Sequence, residues 1–230
     1  MNVKGVFVTG TDTGVGKTVV ATGLVRGLVA QQLRVAVMKP IASGSRQTDQ
    51  GLRNEDALAL MAASNVAVPY ATVNPYCFEP AISPHIAADD SRIRVDLAKI
   101  RRNLEALASC SDWILVEGAG GWLAPIGPAT SIRDVALALK LPVVMVVGLR
   151  LGCINHAMLT KLAIEAHGAP FAGWVANTID PAMPRRTENL ETLIRLIGEP
   201  PLAIVPALAP EAPPLVLTDA AADLRARLGR

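Results

Sequence analysis

A chain of 230 residues, 51% hydrophobic and 18% charged, carries enough apolar side chains to bury a full core, and its length fits one large α/β domain. Its net charge of +2, with no Lys/Arg block and only three Trp, two Tyr and three Phe for stacking, gives a nucleic-acid surface no support. Three cysteines (Cys77, Cys110, Cys153) without a Cys-x-x-Cys pair argue against a disulfide framework and point to a reducing cytoplasm.

The N-terminus has a single lysine before the first strand, so no signal peptide is expected. That strand, about Gly5 to Thr9, is rich in β-branched residues and stops at Gly10. Thr11-Asp12-Thr13-Gly14-Val15-Gly16-Lys17-Thr18 follows, and Val19 leads into a helix with Val20, Leu24 and Leu28 on one face. Strand, polar loop, Gly-Lys-Thr and helix in that order make a P-loop. Backbone N–H groups along Thr13 to Val19 form an anion cradle at the positive end of the helix. Lys17 is placed to neutralise terminal phosphates, and the Thr18 hydroxyl to ligate magnesium. The spacing is not strict: the first glycine sits one place early, at Gly10 rather than Thr11.

A second strand, Arg34 to Met38, stops at Lys39-Pro40 and delivers Lys39 to the carboxyl edge, where open α/β sheets bind ligands. A lysine there either steadies charge in phosphoryl transfer or is a solvated end-of-strand side chain. Residues 41–51 read as a polar, glycine-containing loop, in which Ser43 is either a substrate contact or an ordinary loop serine. Asn54 N-caps a short helix from Glu55 to Ala63. Within it, Asp56 either compensates the helix dipole or joins a magnesium site. Residues 65–90, punctuated by Asn74-Pro75, Glu79-Pro80 and Ser83-Pro84, read as an irregular segment that proline stiffens against a site.

Leu97, Ile100, Leu104 and Leu107 mark an amphipathic helix. The strand Trp113 to Val116 then ends in Glu117-Gly118-Ala119-Gly120-Gly121. Glu117 takes the place of a Walker-B acid, usually aspartate, and the glycines let backbone approach a ligand closely. After a helix from about Ser131 to Lys140 comes the apolar run Leu141 to Leu149. It is too short to cross a bilayer and reads as a strand buried on both faces. A helix opens over Leu151 to His156 and runs to about His167, with Gly168 as its cap. Strand Phe171 to Ala176 ends at Asn177. Asn177 and Asp180 have the spacing of a guanine-reading motif, but Thr178 stands in the place of its lysine. A helix through Leu190, Leu193, Ile194 and Ile197, a strand Leu202 to Val205 stopped by Pro206, a proline-marked loop and a short helix complete the chain. This alternation predicts a three-layer α/β/α fold with a mostly parallel central sheet, as one domain over residues 1–230. His85, His156 and His167 lack zinc-ligand spacing, so structural hydrogen bonding is their default role.

At this point the motifs, taken together, resemble dethiobiotin synthetases. The segments that carry the likeness are residues 8–18, Lys39-Pro40-Ile41-Ala42-Ser43-Gly44, Gly51 to Ala57, and Ala71 to Tyr76. Ser83-Pro84-His85, Val116 to Trp122, Leu151 to Leu159 and Gly173 to Asn177 continue it, so that it covers about residues 3–208. The resemblance implies ATP-dependent carboxylation of 7,8-diaminononanoate with CO2, phosphorylation of the resulting carbamate, and closure of the ureido ring. It implies Mg2+ held by Thr18, Asp56 and Glu117, with Lys39 and Lys17 as catalytic cations. It makes Ser43 and Gly120 substrate contacts, brings the backbone from Gly118 through Ala119 and Gly120 to Gly121 close to substrate and phosphate, and places the adenine on Asn177, Thr178 and the Pro206-Ala207-Leu208 turn. It also implies a homodimer, in which Asn155 reaches the partner's substrate.

Gly14 and Asn189 depart from some relatives, which carry glutamate and tyrosine there; the tyrosine helps hold the substrate carboxylate. Partitioning ATPases of the same deep fold usually have a lysine where this chain has Asp12, which counts against a switch protein. A GTP-dependent metallochaperone lacks support for the same kind of reason: no base-reading lysine and no metal-ligand cluster.

Overall fold

The structure, a computed structural model, describes residues 4–207 and 216–229. In chain order the elements are β1 (Gly5–Gly10), α1 (Lys17–Ala30), β2 (Val35–Met38), β3 (Ile41–Ala42), β4 (Arg46–Thr48) and β5 (Gly51–Arg53). Next come α2 (Glu55–Ala63), α3 (Tyr70–Val73), β6 (Tyr76–Cys77), α4 (Pro84–Asp90), α5 (Leu97–Ala108) and β7 (Trp113–Gly121). The remainder is α6 (Ile132–Leu139), β8 (Val143–Gly148), α7 (Cys153–Ala166), β9 (Phe171–Asn177), α8 (Arg186–Ile197), β10 (Ala203–Val205) and α9 (Val216–Leu228).

Six strands form the central sheet in the order β10-β9-β8-β1-β7-β2, and every pairing in it is parallel. Strand alternation divides the core between the two faces. Phe7, Met145 and Val147 point to the side covered by α5, α6, α7 and α8, while Val6, Val8, Val144 and Val146 point to α1, α2 and α9. β1 and β8 therefore read as continuous apolar runs because both of their faces are dry. All the strands of this sheet run the same way, so their carboxyl ends gather the loops after β1, β2, β7, β8 and β9 on one edge.

Three expectations need correcting. The polar loop of residues 41–51 instead contains β3, which pairs with β6, and the antiparallel hairpin β4–β5 begins within it. The irregular segment 65–90 contains α3, β6 and α4. Proline does not prevent an element there: Pro84 occupies the first turn of α4, where no N–H is needed. Lastly, β7 runs through Glu117 to Gly121 instead of stopping at Val116. Asn54 does cap α2, accepting from Ala57 N at 3.2 Å. The C-terminal helix is longer than its sequence suggested and packs on α1 where α1 carries glycines. A Cβ on Gly23 would lie 2.2 Å from Leu217 Cδ1, and one on Gly27 2.7 Å from Ala221 Cβ. Leu208, expected at the adenine, lies outside the described residues.

Candidate active site

Gly14 and Gly16 adopt φ of +74° and +83°, the left-handed region that turns successive N–H groups to one side of the loop. The two glycines are not equivalent. A Cβ on Gly14 would meet open space, whereas one on Gly16 would lie 2.1 Å from Asn177 Nδ2. That amide donates to Val15 O at 2.9 Å, so Asn177, at the end of β9, ties down the crown of the loop. Lys17 Nζ donates to Asp12 O at 3.0 Å, and the Asp12 carboxylate pairs with Arg150 and accepts from Thr13 N.

The carboxyl ends of β2 and β7 and the first turn of α2 meet on the far side of α1's first residues. Lys39 Nζ, 3% exposed at residue level, lies 2.6 Å from Glu117 Oε1, 3.0 Å from Asp56 Oδ2 and 3.3 Å from Gly118 O. The Thr18 hydroxyl donates to the same Glu117 oxygen at 2.9 Å. Glu117 is fully buried, and its Oε2 has no hydrogen-bond partner among the described residues.

Burial drives the Lys39 ammonium down, but the Glu117 and Asp56 carboxylates outweigh it, and its pKa lies above the usual lysine value. Asp56 mirrors this: burial opposes its charge, the Lys39 ammonium outweighs burial, and its pKa falls below the usual carboxylate range. Lys17 has no such close partner. Burial first, and then repulsion from Lys39, lower its pKa to about 8.

These groups line one cavity of about 710 Å³. It brings together Thr13, Gly14, Gly16, Lys17, Thr18, Lys39, Ser43, Asp56, Glu117, Ala119 and Gly120. Ser43 Oγ is buried there without a hydrogen-bond partner among the described residues, which suits a substrate contact better than an ordinary loop serine. Asn177, Thr178, Pro206 and Ala207 do not line this cavity; they lie at the ends of β9 and β10. Val15 is buried beneath the loop, Val19 faces outward on α1, and Gly118 is buried in β7. Asn155 is exposed on α7, away from the cavity. The opposite wall, Ala81 to Pro84, falls within the proline-stiffened segment expected to lie against a site, whereas sequence reasoning missed Asn54 as a lining residue. The Ser-Pro-His segment was the signal for that wall: Ser83 Oγ is 2.8 Å from His85 Nδ1.

The donor set suits a hard divalent cation. Thr18 Oγ1, Asp56 and Glu117 offer only oxygens, and the buried, unpartnered Glu117 Oε2 is the kind of atom a cation satisfies. Lys39 already lies between the two carboxylates, so positive charge is accommodated there.

A family model described as an AAA domain matches residues 4–214. An ATP-dependent dethiobiotin synthetase from Yersinia pestis is 49% identical over 203 residues, 88% of this chain and 85% of that protein. One from Pseudomonas aeruginosa is 48% identical and covers 91% of this chain and 92% of its own length. Among solved structures, the cell-division protein MinD from Aquifex aeolicus superposes with a TM-score of 0.61 at 15% identity, over 97% of both chains. MinD complexed with Mg-ADP from Pyrococcus horikoshii gives 0.60 at 13% identity, over 95% of this chain and 94% of that one. At such identities the structural matches establish the P-loop fold and nothing finer.

Proposed function

Because the chain belongs to the family of ATP-dependent dethiobiotin synthetases, we propose a division of labour among its residues in that reaction. The protein is an ATP-dependent ligase of biotin biosynthesis that converts 7,8-diaminononanoate, CO2 and ATP to dethiobiotin, ADP and phosphate. One amine attacks CO2 and loses a proton, leaving a carbamate. A carbamate oxygen then attacks the γ-phosphorus as the bond to ADP breaks. The second amine attacks the carbon of the mixed anhydride, phosphate leaves with the C–O electrons, and loss of a proton completes the cyclic urea.

The observation that carries the assignment is the buried Lys39 ammonium between Glu117 and Asp56, in the cavity that also holds Lys17 and Thr18. Phosphoryl transfer spreads negative charge over the moving group, so preorganised cations stabilise it. Lys17 holds the terminal phosphates, and Lys39 bears on the oxygens that pass between carbamate and γ-phosphate. Ser43 and the Gly120 backbone orient the substrate. Thr18, Asp56 and Glu117 would hold Mg2+. Bound there, the ion neutralises phosphate charge. The adenine rests against Asn177, Thr178 and the Pro206-Ala207 end of β10.

The same reading makes residues 1–230 one catalytic domain, cytoplasmic in location, and functional as a homodimer. Exposed Leu151, Leu159 and Leu162 around Asn155 support an α7 face shared between copies. No helix among the described residues is long and apolar enough to cross a membrane. The test is a coupled assay with purified protein, diaminononanoate, bicarbonate, Mg2+ and ATP. Phosphate release must require the diamine and match the dethiobiotin formed. Release that ignores the diamine, with no cyclic urea, defeats the proposal.

A further inference from the structure

A buried polar network lies behind the wall that carries Lys39, Asp56 and Ser43, and the chemistry above leaves it unused. Tyr70, at the start of α3, accepts a hydrogen bond from Asn54 N at 2.8 Å and donates to Asn74 Oδ1 at 2.9 Å. Asn74 Nδ2 donates to Lys39 O at 2.6 Å and to Tyr76 O at 3.2 Å. Asn54 spans the other direction: its Oδ1 caps α2, and its Nδ2 reaches Ser43 O at 3.3 Å. Asn54 and Asn74 are 5% and 3% exposed. The Tyr70 ring is held from outside by the Arg53 guanidinium, 4.2 Å from its centroid.

The connections are specific. Lys39, Asp56 and Ser43 come from the end of β2, the first turn of α2 and the segment after β3. No strand pairing joins α2 to β2, and the sheet alone does not fix the gap between them. Ser64, at the far end of α2, donates to Val35 O of β2 at 2.7 Å, and Tyr70 supplies the link at the site end: it grips the N-cap residue of Asp56's helix and, through Asn74, the carbonyl of Lys39. We propose that Tyr70, Asn54 and Asn74 are positioning residues that set the separation of Lys39, Asp56 and Ser43. None of them is assigned a role in the chemistry: Asn54 and Asn74 act through the carbonyls of Ser43 and Lys39, and Tyr70 acts by joining Asn54 to Asn74. The inference rests on the reading of Lys39 and Asp56 as working groups.

Tyr70→Phe removes the hydroxyl's bonds to Asn54 N and Asn74 Oδ1 and its 3.5 Å contact with Cys77 Sγ while keeping the ring, and Asn74→Ala cuts the bonds to Lys39, Tyr76 and Tyr70. Steady-state dethiobiotin formation should show kcat lowered on the order of 10- to 100-fold in each, with KM for ATP changed by less than about twofold, because the cradle of β1 and α1 is untouched. The double variant should fall no further than the worse single one within about twofold, since both cut one chain of contacts. Leu104→Ala, in the core under α5, is the control for lost stability: it should lower the melting temperature and leave kcat near wild type. Wild-type kcat in Tyr70→Phe, multiplying losses in the double variant, or an equal kcat loss in Leu104→Ala each overturn the positioning role. If Asn74→Ala does not fold, the Tyr70→Phe split between kcat and KM decides alone. Lys39→Gln separates the two levels of the argument. If it keeps wild-type kcat, the reading of Lys39 fails; if it loses turnover while Tyr70→Phe does not, only the positioning claim fails.

Discussion

The cradle from Thr11 to Thr18 comes from one uninterrupted stretch of chain, whereas the charges facing it come from three. Lys39 stands 17 residues from Asp56 and 78 from Glu117, on separate elements. On the proposed reading the cradle binds with backbone N–H groups, so its shape depends on two glycine conformations and one asparagine that holds Val15 O. The Lys39 side works with side-chain charge, and its geometry depends on how β2, β7 and α2 meet. Side-chain replacement should therefore be tolerated at open points of the cradle and punished on the Lys39 side.

Among the groups around Lys39, the largest effect expected from the comparison is at Glu117. Glu117→Gln keeps the shape but removes the charge that Lys39 and Thr18 share, and kcat should drop by about 100-fold or more at saturating ATP and Mg2+. Turnover near wild type would mean that the buried carboxylate only holds Lys39 in place. Asp56 is the more exposed partner, with a side chain 45% accessible, so Asp56→Asn should cost less. Its signature is about 10-fold more Mg2+ needed for half-maximal activity, read by titrating the ion.

Acidity sharpens the contrast between the two lysines. Lys17 has a pKa of about 8, so it is protonated below that pH and loses its charge as pH rises through it. Lys39, held up by its carboxylates, stays charged over the same window. The pH profile of kcat/KM for ATP should fall above about pH 8 because the free cradle loses its cation. A profile flat to pH 9.5, about one and a half units beyond that value, would mean that Lys17 keeps its proton there, or that its charge does not serve ATP binding.

The smallest effects separate the cradle's own glycines. Gly16→Ala forces a strained backbone and a clash with Asn177, and should cost about 2–3 kcal/mol in a urea melt and weaken nucleotide binding. Gly14→Ala meets open space and should cost only about 1 kcal/mol for its left-handed backbone, with nucleotide affinity preserved. Equal losses at the two positions would contradict the view of Asn177 as a clamp on the loop.

What the sequence disclosed follows the same division. The P-loop was readable because its chemistry and its secondary structure occupy consecutive residues. Lys39 and Glu117 were readable as charges that follow apolar strand runs, although β7 continues past Glu117 to Gly121. Asp56 was not: taken alone it looks like a first-turn acid on α2, and only the resemblance moved it to the site. Short elements within residues 41–90 were also hidden, because two- and three-residue strands such as β3, β4 and β6 carry no periodicity. The partner of α1's glycines could not be read at all. Gly23 and Gly27 look like weak helix residues until Leu217 and Ala221 are found packed against them.

The central claim is that the cradle binds and the Lys39 side transfers, and Lys39→Gln tests it most directly. Nucleotide affinity by calorimetry and dethiobiotin formation should be measured on the same preparation. Affinity near wild type with ring closure abolished is the predicted result. Nucleotide affinity lost in step with turnover would make Lys39 a binding residue and contradict the division.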